Sequence, residues 1–220
     1  MTMMRLRPCL FNCKRGFSTS THEALLKNSN VTRIRIWKSG YHNQDKQFIY
    51  TDVATSFFSS LKPHRVPNIG HVSIETSEIY ASLWPEGLNI FNKKKPMAGD
   101  ALSSTPLSDE LSEGRPPDIM VDLHTLNVQN INNELTKFNE SGNSYHLVGS
   151  NYLMKYLGTN NCTGLAVDLL ERGGIQQLIS RRHFVREYII ATPNNVVELV
   201  LEAQAREVEV SKNKASAFSP

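Results

Sequence analysis

Two short segments carry the residue types of a single active site. Gly70-His71-Val72-Ser73-Ile74-Glu75-Thr76 places a histidine at the mouth of an alternating strand. Asn160-Asn161-Cys162-Thr163-Gly164 places a cysteine at the mouth of an apolar helix. A thiol at a helix start meets unpaired backbone N–H groups and the positive end of the dipole, and both favour thiolate. A histidine on a neighbouring strand is the base such a nucleophile needs. Gly70 permits close backbone approach beside it. The Cys162 N–H, with Asn160 or Asn161 nearby, would point at a developing oxyanion. Taken singly, each residue has a plainer role: His71 as a strand-end histidine satisfied by backbone, Cys162 as a small buried hydrophobe. His124, on a later strand, is the runner-up base.

Several elements must position this pair. Val31 to Trp37 alternates, Ile34 and Ile36 against Arg33, Arg35 and Trp37, and predicts a strand. Gly40 to Lys46 reads as a polar turn. Gln47 to Leu61 reads as a short strand followed by a loop. Gly70–Thr76 and Ile79–Trp84 predict an antiparallel hairpin about Ser77-Glu78. Asp118 to Leu126 predicts a third strand. Ile131, Leu135 and Phe138 mark one face of a helix ending near Asn139. Tyr145 to Val148 reads as a short extended piece. Asn161 is a helix N-cap, Leu165, Ala166, Leu169 and Leu170 a buried face, and Gly173-Gly174 the stop. Thr192-Pro193 opens a final helix. The expected class is α+β, an antiparallel sheet packed against helices. Residues 31–207 form the domain, 1–30 a disordered or targeting tail and 208–220 a polar tail. An inserted loop, 86–117, contains Pro96, Pro106, Pro116 and Pro117 among many Ser, Gly and Lys residues, and reads as a mobile lid beside the histidine strand. The tryptophan before Pro85 reads as packing, or as one wall of a substrate groove.

Composition narrows the function classes. Hydrophobic residues make up 40% and charged residues 20% of 220 residues, an ordinary globular balance. A net charge of +3, spread over scattered residues and short runs, does not favour nucleic acid. No stretch approaches the roughly 20 apolar residues of a membrane helix. The 3 cysteines, Cys9, Cys13 and Cys162, are not a disulfide framework, and Cys9 and Cys13 lack a second ligand pair for zinc. No cofactor or metal is expected. The segment from Met1 to Thr21 has Arg5, Arg7, Lys14 and Arg15 and no acid, as a mitochondrial transit peptide or a basic tail would.

Gly70-His71-Val72-Ser73-Ile74, Tyr80-Ala81-Ser82-Leu83-Trp84-Pro85, Tyr145-His146-Leu147 and Asn161-Cys162-Thr163 ahead of Leu169-Leu170-Glu171-Arg172-Gly173-Gly174-Ile175 together resemble the circularly permuted papain-like superfamily, over about residues 65 to 176. That superfamily includes NlpC-type peptidases and lecithin:retinol acyltransferase-like enzymes. The resemblance implies a histidine strand followed by an asparagine-cysteine helix, and a thiol-dependent hydrolase, protease or acyltransferase. Cys162 would attack an ester, amide or isopeptide carbonyl, and His71 would be base and then acid. The third catalytic residue usually lies on the strand after the histidine strand. There this sequence offers Ser82, with Glu78 and Glu86 at the strand ends, while Asp122 on the third strand is another candidate. A serine orients an imidazole but does not stabilise its positive charge as an acid does.

Substrates of this class are proteins, peptides, ubiquitin-like chains or lipids. A permuted papain-like core with a low-complexity lid and polar tail also looks like effectors that intracellular bacteria secrete into a host cell, which implies action in the host cytoplasm. Two alternatives stand beside this reading. One is a catalytically inactive papain-like binding module using the 86–117 segment as its partner surface. The other is a mitochondrially targeted protein, or a cytoplasmic one, of different activity.

Overall fold

The computed structural model describes residues 30–42, 45, 47–50, 66–68, 70–84, 105–140, 144–145, 159–180 and 192–217. In chain order the elements are β1 (Thr32–Trp37), β2 (Gly40–His42), β3 (Phe48–Tyr50), β4 (Val66–Asn68), β5 (His71–Glu75), β6 (Tyr80–Ser82), α1 (Pro106–Glu113), β7 (Ile119–Leu123), α2 (Val128–Glu140), β8 (Ser144–Tyr145), β9 (Thr159–Asn160), α3 (Cys162–Gly173), a 3-10 turn (Ile175–Gln177) and α4 (Pro193–Ala217). The class is α+β, as the alternation of the strands and the helical spacing of the later segments predict.

The main sheet is four-stranded and antiparallel, in the order β6-β5-β1-β7. Strand side chains alternate between faces, and cross-strand partners share one. The register pairs Ile34 with Ile74 and Val121, Ile36 with Val72 and Ile119, and Ile74 with Ala81. This face is apolar and forms the core with Ile131 and Leu135 of α2, Leu165 and Leu169 of α3, and Val196 and Val200 of α4. The opposite face is polar and largely buried, except along β7, where Met120 is 54% exposed. Arg33, Arg35 and Trp37 align there with Glu75, Ser73 and His71. Its charges are matched: Arg33 grips both oxygens of Asp122 at 2.7 Å, and Arg35 meets Glu75 at 2.6 Å. Helix α1 covers the end of this face that holds His71 and Ser82.

Local chemistry explains the joints. The β5–β6 turn is held by Thr76, whose N–H donates to the Ile79 carbonyl and whose Oγ1 accepts from the N–H groups of Glu78 and Ile79. Its hydroxyl donates to Asn132 of α2, tying the hairpin to the helix layer. Gly70 enters β5 at φ 79°, and a Cβ there would lie 2.3 Å from the Trp37 carbonyl oxygen, so only glycine fits. A second sheet, β3-β2-β4, flanks the first, and β8 and β9 form a parallel pair.

Three expectations change. Gly40–His42 is a strand, the centre of the second sheet, rather than part of a turn. The 86–117 segment is not a loop throughout: α1 occupies Pro106–Glu113, opened by a Thr105/Ser108 capping box and closed at Gly114. Asp109 and Glu113 are buried, so this part is packed into the fold rather than a lid over it. The polar tail expected at 208–220 is helical as far as Ala217, as the end of α4. The targeting tail expected at 1–30 lies outside the described residues up to position 29, as do residues 86–104 of the lid.

Candidate active site

Cys162 is the first residue of α3. Asn161 precedes it in extended conformation, φ −118° and ψ 177°, and its side-chain oxygen accepts from the Gly164 N–H at 2.7 Å. This capping spends the Asn161 carbonyl on the helix, and the first-turn N–H groups of Cys162 and Thr163 have no intrahelical acceptor. The thiol is buried, with Cys162 7% exposed, and is not in a disulfide.

His71 opens β5 and is buried at 1% exposure. Its ring stacks on Trp84 at 4.1 Å and 22° between planes, and leans on Trp37 at 5.6 Å. Nε2 lies 2.8 Å from Ser82 Oγ and 3.2 Å from Asp109 Oδ2. A carboxylate only accepts, so Nε2 carries a proton. The Cys162 thiol is the neighbour that, after Asp109, most raises the proton affinity of the same ring. Burial pushes the His71 pKa down, but the Asp109 hydrogen bond and the bond and charge of Cys162 outweigh it and carry it up to about 9.

Asp109, on the buried side of α1, is fully buried. Tyr80 Oη donates to Oδ2 at 2.6 Å, Ser82 Oγ donates to Oδ1 at 3.0 Å, and Trp84 Nε1 donates to Oδ1 at 2.7 Å. With His71, four donors fill the lone-pair sites of one carboxylate. Burial alone would raise its pKa. The bond to His71 and its charge, with Tyr80 and Trp84, hold it below the usual carboxylate range. Next to that negative charge the Tyr80 phenol is pushed well above its ordinary value, chiefly by burial and then by Asp109.

The structure therefore brings together Cys162, His71 and Ser82, and adds Asp109 and Trp84. Ser82 lies between the ring and the carboxylate, accepting from Nε2 and donating to Oδ1. Trp84 does more than pack, since it roofs the ring and binds Asp109. Asp122 is not part of the site. It pairs with Arg33, opposite Glu75, at the far end of the sheet from the Trp37–His71 pair. His124 follows β7, on the other side of β1 from β5, and its backbone N–H is bound by Glu207. Nothing in the local sequence marks Asp109, because Ser108-Asp109-Glu110 sits in a proline- and serine-rich stretch that reads as a loop. Among the described residues, no group of three or more His, Cys, Asp or Glu side chains could hold a metal, and no helix is long and apolar enough to cross a membrane.

The chemistry open to this arrangement is that of a cysteine nucleophile with a histidine base held by a buried carboxylate. Comparison with protein-family models, curated proteins and solved structures returned no match for this chain.

Proposed function

We propose that this protein is a thiol-dependent hydrolase or acyltransferase of permuted papain-like type, with Cys162 as nucleophile, His71 as base and acid, and Asp109 in place of the expected Ser82 or Asp122 as the group that orients and charges the histidine. The observation that carries this reading is the buried His71 ring, hydrogen-bonded to the Asp109 carboxylate and raised in proton affinity by the neighbouring Cys162 thiol.

His71 takes the thiol proton, and the sulfur attacks the carbonyl carbon of an ester, amide or isopeptide. The carbonyl π pair moves to oxygen, and the N–H groups at the start of α3 are oriented to receive that charge. As the tetrahedral species collapses, the C–O or C–N bond breaks. The His71 imidazolium gives its proton to the leaving alcohol or amine, and an acyl-Cys162 thioester remains. Water or an acceptor alcohol or amine, deprotonated by His71, then attacks the thioester and releases the thiol. Asp109 stays ionised throughout and stabilises the imidazolium, as the carboxylate of a serine-protease triad does.

Iodoacetamide labelling with peptide mapping tests the reading, with Cys9 and Cys13 as internal references. The expected result is preferential carbamidomethylation of Cys162, slowed at least tenfold in His71→Ala and Asp109→Ala. Equal labelling in the three proteins would leave Cys162 a packing residue and favour a non-catalytic binding module. A panel of peptide, isopeptide and lipid-ester substrates then separates the acyl classes.

A further inference from the structure

The carboxylate behind His71 has more donors than are needed to orient a histidine. Three come from one stretch of chain: Tyr80, Ser82 and Trp84, at alternate positions in and just after β6, all donate to Asp109. Oδ2 accepts from Tyr80 Oη at 2.6 Å and faces His71 Nε2 at 3.2 Å. Oδ1 accepts from Trp84 Nε1 at 2.7 Å and from Ser82 Oγ at 3.0 Å, and Ser82 in turn accepts from His71. On each oxygen the shorter bond belongs to Tyr80 or Trp84, and the longer one leads to the imidazole. A carboxylate oxygen already drawn on by a short O–H···O bond attracts a second donor less strongly. The phenol of Tyr80 has one proton and two acceptors in reach, Asp109 Oδ2 and Ser73 Oγ, the latter at 2.8 Å. The ionised carboxylate is the stronger acceptor, so the proton lies towards Oδ2 and Ser73 gives its own proton to Tyr80 Oη. Each hydroxyl in the chain Ser73–Tyr80–Asp109 is made a better donor by the one behind it. Arg35 lies 5.7 Å from the centre of the Tyr80 ring and is paired with Glu75, the cross-strand partner of Tyr80. The sheet thus aims the phenol at the carboxylate.

We propose that Tyr80 is a positioning residue of this site: by holding a share of Asp109 Oδ2 it limits the charge that His71 receives, so that the imidazolium can still surrender its proton to a leaving group. This role rests on the catalytic reading above. Trp84 draws on Oδ1 in the same way but also stacks on the ring, whereas Tyr80 acts through the carboxylate. The other charges around the network are matched. Arg35 pairs with Glu75 and Arg33 with Asp122, while Glu113, one turn after Asp109, has Arg115 at 3.8 Å. Besides Asp109, the ionisable neighbour of His71 is Cys162.

NMR titration of the full chain, labelled at histidine, tests this without a substrate. The His71 resonance is assigned by its loss in His71→Ala. Tyr80→Phe keeps the aromatic ring and removes the phenol oxygen, and the His71 midpoint should then rise by roughly half a unit or more, about a threefold gain in proton affinity. A merely structural Tyr80 gives the opposite sign, because a carboxylate that loses its tether drifts towards water and the midpoint falls. An unchanged or lowered midpoint therefore overturns the proposal. Ser73→Ala leaves the phenol in place but removes the donor behind it, so the midpoint should move the same way by less. No rise in that variant overturns the proposal even where Tyr80→Phe does not fold. Iodoacetamide labelling separates this role from the enzyme reading. Selective labelling of Cys162 with an unmoved midpoint removes the role of Tyr80 and leaves the nucleophile. A raised midpoint with unselective labelling keeps the hold of Tyr80 on His71 and sinks the enzyme.

Discussion

An amide cannot replace the carboxylate of Asp109. Each of its oxygens faces one donor that has no acceptor to offer in return, Trp84 Nε1–H at Oδ1 and His71 Nε2–H at Oδ2. In Asp109→Asn the NH2 group must confront one of them. Turnover should fall on the order of a hundredfold to ten-thousandfold, with a smaller effect on KM, as steady-state kinetics would show. Cys162→Ala should abolish turnover and labelling with little change in Tm, because a small side chain at a helix start contributes little packing. His71 gives the pH dependence its sign. Its folded pKa lies near 9, above its ordinary 6.5, so its pairing stabilises the fold fully below about pH 6.5, and that stability is lost as pH rises towards and through 9. Thermal melts from pH 6 to pH 9.5 should show this decline in the wild type and a flatter curve in His71→Ala. The rate of leaving-group protonation should fall over the same upper range. Cys162 and His71 were legible as residues because each carries its own local signature, a capped helix start and a glycine-entered strand. Asp109 has none, since its role comes from what surrounds it in space.

At the scale of elements, periodicity located the strands and helices that fill the core. Ile34/Ile36, Val72/Ile74 and Ile131/Leu135 all lie where their spacing predicts. Helix α1 escaped because its pattern is inverted: Leu107 and Leu111 mark the solvent face, and prolines and serines around them suggest a loop. The glycine pair ending α3 was legible as a stop, but Gly173 has a second duty that no single sequence displays. A Cβ there would lie 2.8 Å from Ile131 Cδ1 and 3.4 Å from Leu126 Cβ, so α3 approaches α2 closely at this point. Gly173→Ala should lower stability by about 1–3 kcal/mol in denaturant melts, through overpacking. If it is neutral or stabilising, Ile131 has room to yield.

Over the whole molecule, α4 holds the sheet edge through the last residue before the expected polar tail. Glu207, 6% exposed, accepts from the N–H groups of His124 and Thr125, at 2.9 Å and 2.7 Å to Oε1, where β7 leaves the sheet. Glu207→Ala should cost about 1–3 kcal/mol, because two backbone donors lose their partner. Truncation after position 211 should cost far less. Equal losses from the two changes would show that the last turns of α4 also carry stability.

The central position of β1 has a consequence for how the chain reaches this structure. β1 is the first strand of the four-stranded sheet to be made, yet its partners are Val72 on one side and Ile119 on the other of Ile36. Neither is a sequence neighbour. Contact order is therefore high for the sheet that carries the site, and loop-closure entropy must be met before its pairing is rewarded. During synthesis Ile34 and Ile36 wait with two unpaired edges until β5 and then β7 emerge, and the thiol arrives later still. The nascent chain is most exposed to aggregation in that interval, and the nucleophile becomes available only after the strand bearing its base has been paired.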